Sequence, residues 1–308
     1  MGEMLETLER CRKQEYPTLI VGETGTGKEL IANAFVPTGK QLITIDCTRF
    51  SNSESRIEAD LFGFVKGAYT GADRDTPGLI ARAHGQVLFL DELHTLTMDS
   101  QTKLLRFLQE MKYRRLGDHS ARETPVTFRL VAAAKPHIFE MIRKGEFLED
   151  LYHRVAKLEV RVPVLNEREG DLEPLLRAFE TDFNKEKPPE LHKRFRSATV
   201  QAMEAHIWTG NIRQLQNAAI RMMTLAQGAV IEPSDFRRYL NATGAVQASN
   251  ASLKVVAQDV EAQHIERALR ISRTKAEAAT RLGMTRWSLD RSMSRLGIES
   301  ETYLLKTR

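Results

Sequence analysis

The sequence lacks the features that would place the chain in a membrane or a secretory pathway. No apolar run approaches the roughly 20 residues that a membrane span requires, and the start, Met1-Gly-Glu-Met, shows no signal-peptide pattern. Cysteine is also scarce: Cys11 and Cys47 have neither the spacing of a disulfide framework nor that of a metal site. We therefore expect a soluble, cytoplasmic protein that makes no membrane contact, with Cys47 as a buried thiol directly after an apolar strand.

Length and charge set only loose bounds on the function. A chain of 308 residues exceeds one ordinary core and indicates two or three domains, at about 100–200 residues each. The net charge of +4 alone says little about nucleic acid. The basic residues are nevertheless unevenly distributed, which matters at the C-terminus.

A glycine-rich loop follows the first apolar strand, and the chain is organised around it. From Thr18 the sequence reads Thr-Leu-Ile-Val-Gly-Glu-Thr-Gly-Thr-Gly-Lys-Glu, which matches the P-loop spacing Gly22-x4-Gly27-Lys28. The glycines let backbone N–H groups face a phosphate, and the lysine reaches the β- and γ-phosphates. A chance match is the alternative, but the strand before the loop and the amphipathic helix after it favour nucleotide binding. The predicted nucleotide-binding residues of this loop are Gly22, Glu23, Thr24, Gly25, Thr26, Gly27, Lys28 and Glu29.

The apolar strand Val87–Asp91 ends in the carboxylate of Asp91, and a second carboxylate, that of Glu92, follows directly. Glu29 follows the P-loop lysine at a position where a hydroxyl residue usually binds Mg²⁺, so the metal has to be held elsewhere. Asp91 is suited to hold Mg²⁺, and Glu92 to polarise the water that attacks the γ-phosphate. Solvated acids at a strand end are the alternative. The P-loop upstream favours a Walker B motif and predicts ATP and Mg²⁺ as cofactors.

Further apolar strands are predicted at 41–47, 128–134 and Leu158–Val162, with helical patterns between most of them. Strands that alternate with helices predict an α/β fold with a parallel sheet covered on both sides. Ligands of such sheets bind at the carboxyl ends of the strands, where the P-loop lies.

From about residue 171 the pattern becomes helical, with segments at 172–183, 199–205 and Asn211–Leu225 that predict a small α-helical lid. The stretch 241–252 is rich in Ala, Asn, Ser and Gly and predicts a linker. The expected boundaries are 1–170 for the α/β ATPase subdomain, 171–240 for the lid subdomain, 241–255 for the linker and 256–308 for a DNA-binding domain.

Near the C-terminus, helices at 275–282 and Arg286–Leu296 flank the turn Gly283-Met-Thr285 and predict an all-α helix-turn-helix. Thr285 is a natural N-cap, and Leu289, Met293 and Leu296 are expected to line the buried face of the second helix. The outward face is suited to phosphate and base-edge contacts in a DNA major groove. Because any amphipathic hairpin shows such a face, a solvated surface remains the alternative. The predicted DNA-binding residues are Arg286, Trp287, Ser288, Arg291 and Arg295.

One further motif, Gly67-Ala68-Tyr69-Thr70-Gly71-Ala72, lies before the strand Val87–Asp91 and is not explained by periodicity. It resembles the GAFTGA loop of AAA+ bacterial enhancer-binding proteins, the ATPases that activate transcription by sigma-54 RNA polymerase. Tyr69 replaces the more usual phenylalanine and keeps an aromatic ring. The resemblance also covers the P-loop with its Glu29, the motifs at 89–93, 150–154 and 208–213, and a Fis-like C-terminal helix-turn-helix. A plain small-residue turn is the alternative for 67–72.

The resemblance implies an AAA+ P-loop NTPase core in a hexameric ring, with ATP between protomers. It assigns phosphate binding to Lys28, the metal to Asp91, the water to Glu92, an arginine finger into the neighbouring site to Arg154, and the sensor II contact to Arg213. The 67–72 loop would contact the sigma-54 RNA polymerase holoenzyme, and the helix-turn-helix would bind enhancer DNA. Too few residues precede the P-loop for an N-terminal regulatory domain, so control is expected from expression, a regulatory protein in trans or a second activator.

Three positions depart from the family pattern. Asp46 and Lys135 stand where the family usually has asparagine, Lys135 at the sensor I position, and Leu148 stands where a second finger arginine is expected. The chain is expected to be a sigma-54-dependent activator, in a homo-hexamer or a hetero-hexamer with a related activator. The alternative is a DNA-binding AAA+ regulatory subunit with impaired ATPase that acts through a partner activator. An AAA+ unfoldase or remodeller would need neither the 67–72 loop nor the helix-turn-helix.

Overall fold

The computed structural model describes residues 2–50, 54–120, 123–243 and 274–296, together with Ile265, Ala268, Leu269 and Ser272. The chain divides after residue 246 into two compact units. The first unit holds a sheet with its helices and a helical subdomain. Residues 241–243 of the predicted linker belong to the last helix of this unit, and 244–255 lie outside the described residues.

One parallel sheet forms the centre of the first unit. Its strands are β1 (Thr18–Gly22), β2 (Leu42–Asp46), β3 (Val87–Asp91), β4 (Arg129–Ala134) and β5 (Leu158–Val162), in the spatial order β2-β3-β4-β1-β5. The strands form where the sequence is almost continuously apolar, because both faces of the sheet are covered. All five predicted strands are confirmed, with the ends of β2 and the start of β4 shifted by one residue. The carboxyl ends of β1 and β3 lead into the P-loop and Glu92, so one edge of the sheet collects the predicted site.

Helices cover both faces of the sheet, which confirms the predicted α/β fold. Those described are α1 (Gly2–Arg12), α2 (Lys28–Asn33), α3 (Glu54–Phe62), α4 (Leu79–Arg82), α5 (Met98–Glu110), α6 (Ile138–Lys144) and α7 (Glu149–Val155). Successive residues of a strand point to opposite faces. Leu88 of β3 therefore packs in the cluster that contains Leu104 of α5, whereas Phe89 packs in the cluster that contains Leu8 of α1. Cys47 is buried in the first of these clusters, as predicted.

The helical subdomain follows with α8 (Leu172–Asn184), α9 (Ser197–Glu204), α10 (Asn211–Leu225) and α11 (Pro233–Thr243). Its core is built around Trp208, whose indole Nε1 donates a hydrogen bond to the carbonyl of Met203 at 2.8 Å. The three predicted helices are confirmed. Helix α11 was not predicted from the sequence, and it continues into the residues interpreted as a linker.

The second unit contains α12 (Lys275–Arg281) and α13 (Arg286–Leu296). Leu289 and Met293 are buried in one cluster with Leu269 and Ala278, as expected for the inner face of α13. The predicted N-cap is also confirmed, since Thr285 Oγ1 accepts a hydrogen bond from the Ser288 N–H at 3.1 Å. The side chain of Leu296 lies outside the described residues.

The packing predicts that the substitution of two leucines of the first unit by alanine will have very different effects on the free energy of unfolding. Leu88→Ala should lower the free energy of unfolding by about 2–5 kcal/mol, because it leaves a cavity in the sheet core, where Leu88 is 0% exposed. Leu30→Ala on α2 should change it by less than about 0.5 kcal/mol, because Leu30 is 78% exposed. Urea unfolding followed by circular dichroism measures both, and equal shifts would contradict the assignment of the core.

Candidate functional site

The P-loop connects β1 to α2, and its lysine is turned inward. Lys28 is only 6% exposed, and its Nζ donates hydrogen bonds to the carbonyls of Gly22 at 3.0 Å and Glu23 at 3.2 Å. Thr26 is buried as well, with its hydroxyl donating to the Glu23 carbonyl. Glu23 and Glu29 are exposed. The ammonium group of Lys28 therefore lies at the end of β1. The first N–H groups of α2 are also at this place, and they have no hydrogen-bond partner within the helix.

The helical subdomain rests directly on the P-loop. The Asn211 amide donates to the Thr24 carbonyl at 3.0 Å, and the Arg213 N–H donates to the Gly25 carbonyl at 3.3 Å. Gly25 has a φ of +77°, and a Cβ there would lie 2.4 Å from the Gly210 carbonyl oxygen. Glycine is therefore required at position 25 both by the backbone conformation and by the approach of the lid. The side chain of Arg213, the expected sensor II residue, is exposed.

A second contact with the P-loop comes from the segment between β5 and the helical subdomain. Arg168 is buried, and its Nη2 donates to the Thr26 carbonyl at 2.8 Å and to the Pro163 carbonyl at 2.9 Å. Burial lowers the pKa of Arg168. Asn211 also accepts the Leu165 N–H on its side-chain oxygen at 2.8 Å. Neither Arg168 nor Asn211 was predicted from the sequence as a contact of the P-loop, although Asn211 belongs to the motif at 208–213.

The paired carboxylates lie beside Lys28. The Asp91 Oδ1 accepts the Glu92 N–H at 2.9 Å, and Glu92 Oε1 lies 3.7 Å from Lys28 Nζ. Burial raises the pKa of Asp91 above its usual value, and the carboxylates of Glu92 and Asp46 act in the same direction, while the Glu92 N–H and Lys28 oppose them. The structure thus brings the P-loop lysine and both predicted acids together at one edge of the sheet.

His94, which was not predicted from the sequence, also contacts this site. Its Nε2 lies 3.3 Å from Glu92 Oε2, and its Nδ1 accepts the Lys135 N–H at 3.3 Å. Burial, together with the neighbouring His137, Lys135 and Lys28, lowers the pKa of His94 to about 4. The ring is therefore neutral at pH 7.

The three positions that depart from the family pattern have different surroundings. The Asp46 carboxylate at the end of β2 accepts both the N–H and the hydroxyl of Thr48, at 3.0 Å and 2.6 Å. Lys135 is half-buried after β4. Leu148 packs against the sheet core, and its N–H donates to Gln101 Oε1 at 2.8 Å.

Arg154, the expected finger residue, is anchored within its own chain. Its Nε donates to the Leu108 carbonyl at 3.0 Å, and its Nη2 donates to the same oxygen. The side chain is half-buried on α7. It therefore differs from a freely exposed surface arginine, and its described contacts lie on α5 rather than at the P-loop.

The 67–72 loop stands on a short antiparallel stem, in which Gly63–Phe64 pairs with Thr76–Pro77. The Gly67 N–H donates to the Ala72 carbonyl at 2.8 Å and closes the loop. Ala72 is buried, Ala68 is half-buried, and the tip residues Tyr69, Thr70 and Gly71 are exposed. The Tyr69 ring packs edge-on against Phe64 at a centroid distance of 5.1 Å.

The outer face of α13 carries exposed basic and aromatic side chains. Arg286, Trp287 and Arg291 are exposed, and the Arg291 guanidinium lies 5.4 Å from the centre of the Trp287 ring. Ser288 is half-buried, with its hydroxyl 2.9 Å from that of Thr285, so it faces outward less than predicted. Arg295 lies on the same helix, and its side chain is outside the described residues.

Comparison with known families gives three matches between residues 1 and 296. A family described as the sigma-54 interaction domain matches residues 1–161. The chain belongs to the sigma-54 interaction domain family. The family of AAA+ ATPase lid domains matches residues 166–253, and the Fis family of bacterial regulatory proteins matches residues 257–296. The resemblance drawn from the motifs is thereby confirmed, together with the AAA+ core, the lid and the Fis-type helix-turn-helix.

Several relatives of this sigma-54 interaction domain protein are transcriptional regulators by name. The Nif-specific regulatory protein of Azorhizobium caulinodans is 38% identical over 76% of this chain and 38% of its own length. The hydrogenase transcriptional regulatory protein HoxA of Cupriavidus necator is 33% identical over 98% of this chain and 64% of its own length. For the transcriptional regulatory protein ZraR of Klebsiella oxytoca the identity is 34%, over 96% of this chain and 67% of that protein. The chain thus spans less than two thirds of the length of the first two relatives.

Solved structures support the same fold. The crystal structure of NtrX from Brucella abortus in complex with ATP has a TM-score of 0.67 and 25% identity, and covers 97% of this chain and 68% of that chain. A mutant of RuvB from Thermotoga maritima has a TM-score of 0.51 at 14% identity, over 96% of this chain and 87% of that chain. The likeness to RuvB shows the fold alone.

None of the described helices is long and apolar enough to cross a bilayer. No group of three or more His, Cys, Asp or Glu side chains converges on a metal position in that part of the chain.

The lid contact generates a prediction about the exchange of P-loop amide protons. Asn211→Asp should accelerate hydrogen exchange of residues 22–28, because a carboxylate would face the Thr24 carbonyl in place of the donating amide. Gln216→Glu, the same amide-to-acid change at an exposed position of α10, is the matched control and should leave these rates unchanged. Mass-spectrometric hydrogen exchange on both variants measures the effect. Unchanged exchange in Asn211→Asp would show that the amide does not hold the loop.

Proposed function

We propose that the chain is a sigma-54-dependent transcriptional activator that binds enhancer DNA and uses ATP in a ring to act on the sigma-54 RNA polymerase holoenzyme. The observation that carries this proposal is the exposed tip Tyr69-Thr70-Gly71 on a closed, stem-supported loop, in a chain whose P-loop lysine lies 3.7 Å from the Glu92 carboxylate. Family membership and relatives named as transcriptional regulators support it. Promoter opening is the proposed outcome.

ATP is the proposed nucleotide, as in the NtrX complex. Lys28 would exchange its carbonyl partners for phosphate oxygens, and the N–H groups of 22–29 would line the same phosphates. Arg213 would reach the phosphates from the lid, since its backbone already contacts Gly25.

Mg²⁺ is the proposed metal, and Asp91 would hold it. The residues present fit a divalent cation, because burial and the neighbouring carboxylates raise the pKa of Asp91, and a cation would offset that repulsion. The metal would supply positive charge against the phosphate oxygens. Glu92 would orient the attacking water and accept its proton.

Assembly is proposed as a homo-hexamer or as a hetero-hexamer with a related activator. Arg154 would act as the finger only after leaving the Leu108 carbonyl, which a neighbouring protomer's nucleotide would have to replace. Leu148 packs in the core and offers no second guanidinium. A DNA-binding subunit with impaired ATPase, working through a partner activator or a regulatory protein in trans, is the second candidate, and it is favoured by Asp46, Lys135 and Leu148.

Enhancer DNA is the proposed ligand of the second unit. Arg286, Trp287 and Arg291 form its exposed face, and Ser288 and Arg295 complete the proposed set. The proposed domains are 1–170 for the α/β ATPase subdomain, 171–240 for the lid, 241–255 for the linker and 256–308 for DNA binding.

Nucleotide binding predicts opposite phenotypes for two substitutions. Lys28→Ala should raise the Kd for ATP about 10- to 100-fold, because hydrogen bonds to charged groups contribute about 1.5–3 kcal/mol. Glu92→Gln should retain ATP but lose hydrolysis, and Lys40→Ala, at an exposed position, should behave as the parent. Titration of fluorescent ATP and phosphate release measure the two properties. An unchanged Kd in Lys28→Ala would remove the P-loop assignment.

The proposed contact with polymerase is tested at the loop tip. Thr70→Ala should leave ATP binding, assembly and enhancer binding near parent levels, because the backbone rather than Thr70 closes the loop. It should abolish sigma-54 engagement and promoter opening, whereas Thr38→Ala, at another exposed threonine, should not. Open-complex formation with the sigma-54 holoenzyme is measured beside ATPase, with a partner activator added where the ring requires one. Parent-level promoter opening by Thr70→Ala would refute the activator proposal.

A further inference from the structure

We propose that His94 is a positioning residue for Glu92: its imidazole, fixed by the Lys135 backbone, holds the Glu92 carboxylate in place for the attack of water on ATP. The kinetic part of this inference rests on the proposed ATP hydrolysis, because only that reaction gives Glu92 a proton to accept. The contact between His94 and Glu92 is present in the chain without ATP.

The two ring nitrogens of His94 have distinct partners, and these determine where the proton lies. Nδ1 accepts the N–H of Lys135 at 3.3 Å, so in the neutral ring it carries no proton. The proton is therefore on Nε2, the nitrogen that lies 3.3 Å from Glu92 Oε2. The lowered pKa of His94 keeps the ring neutral, so it offers a hydrogen-bond donor without adding a positive charge.

Each carboxylate oxygen of Glu92 has its own neighbour. Oε1 lies 3.7 Å from Lys28 Nζ, and Oε2 faces His94. Lys28 is the proposed phosphate ligand, and its attraction for Glu92 weakens when it turns to ATP. The contact with His94 does not depend on the phosphates. It is therefore the one suited to hold Glu92 during hydrolysis.

Glu92 needs such support because its backbone is in the left-handed region, with a φ of 51°. A non-glycine residue in this region is strained, and it keeps this conformation only where the surrounding structure fixes it. The His94 ring itself is well held: it is buried, and the ring of His137 packs edge-on against it at 4.5 Å. The neighbouring Asp46 is engaged with Thr48 and carries the same charge as Glu92, so it is not suited to attract this carboxylate.

Three substitutions of His94 test the roles of its two ring nitrogens separately. His94→Gln keeps an amide N–H at the reach of Nε2. His94→Asn keeps an acceptor near Nδ1 for Lys135 but is too short for Glu92. His94→Phe fills the volume and removes both functions.

If His94 positions Glu92, the Gln variant should keep kcat for ATP hydrolysis close to that of the parent. The Asn and Phe variants should lower kcat about 10- to 100-fold, with KM for ATP unchanged. Parent-level kcat in the Asn and Phe variants, or a change confined to KM, would overturn the proposal.

A second measurement does not require turnover. In the full-length chain labelled with ¹⁵N-histidine, the signals lost in His94→Gln identify His94 among the 8 histidines. We expect a proton on Nε2 at pH 7 and a shift of its resonance in Glu92→Gln, but not in Glu190→Gln, an exposed glutamate outside the site. A proton on Nδ1, or no response to Glu92→Gln, would overturn the inference. A parent without ATPase activity would instead contradict the proposed hydrolysis and leave this measurement to decide the role of His94.

Discussion

The buried ammonium of Lys28 sets the conditions for the rest of the site. A charged group that is removed from water needs compensation, because its desolvation is costly. The carbonyls of Gly22 and Glu23 and the carboxylate of Glu92 supply it. The end of β1, the P-loop and the residue after β3 are therefore tied to one cation. Any anion that competes for Lys28 alters the surroundings of Glu92 as well.

The lid and the segment that precedes it contact the P-loop through backbone carbonyls rather than through P-loop side chains. Asn211, Arg213 and Arg168 donate to three successive carbonyls, those of Thr24, Gly25 and Thr26. These hydrogen bonds depend on the backbone conformation of the P-loop and not on the identity of its side chains. A change of loop conformation on phosphate binding would have to move α10 or break these bonds, which links the nucleotide state to the lid.

Local sequence patterns are sufficient to predict the strands of the sheet and the two carboxylates of the site, Asp91 and Glu92. Continuous apolar runs located the strands, and parallel topology explains why Lys28, Asp91 and Glu92 meet at one edge. His94 and Asn211 could not be found this way, because their partners, Lys135 and Thr24, lie 41 and 187 residues away along the chain. The anchoring of Arg154 depends in the same way on the packing of α7 against α5, which no local pattern reports. Family resemblance supplied roles for residues, but it did not supply these contacts.

The closure of the 67–72 loop has a consequence for how the protein is able to change over evolution. The Gly67–Ala72 hydrogen bond and the stem below it form from backbone groups, so the fold of the loop makes few demands on the side chains of Tyr69 and Thr70, whereas Gly71, with a φ of +98°, is restricted to glycine. An exchange there, such as tyrosine for phenylalanine at position 69, alters the surface offered to a partner at little cost to folding. Sequence differences at the tip between related chains would then reflect differences between their partners rather than differences in the stability of the chains themselves.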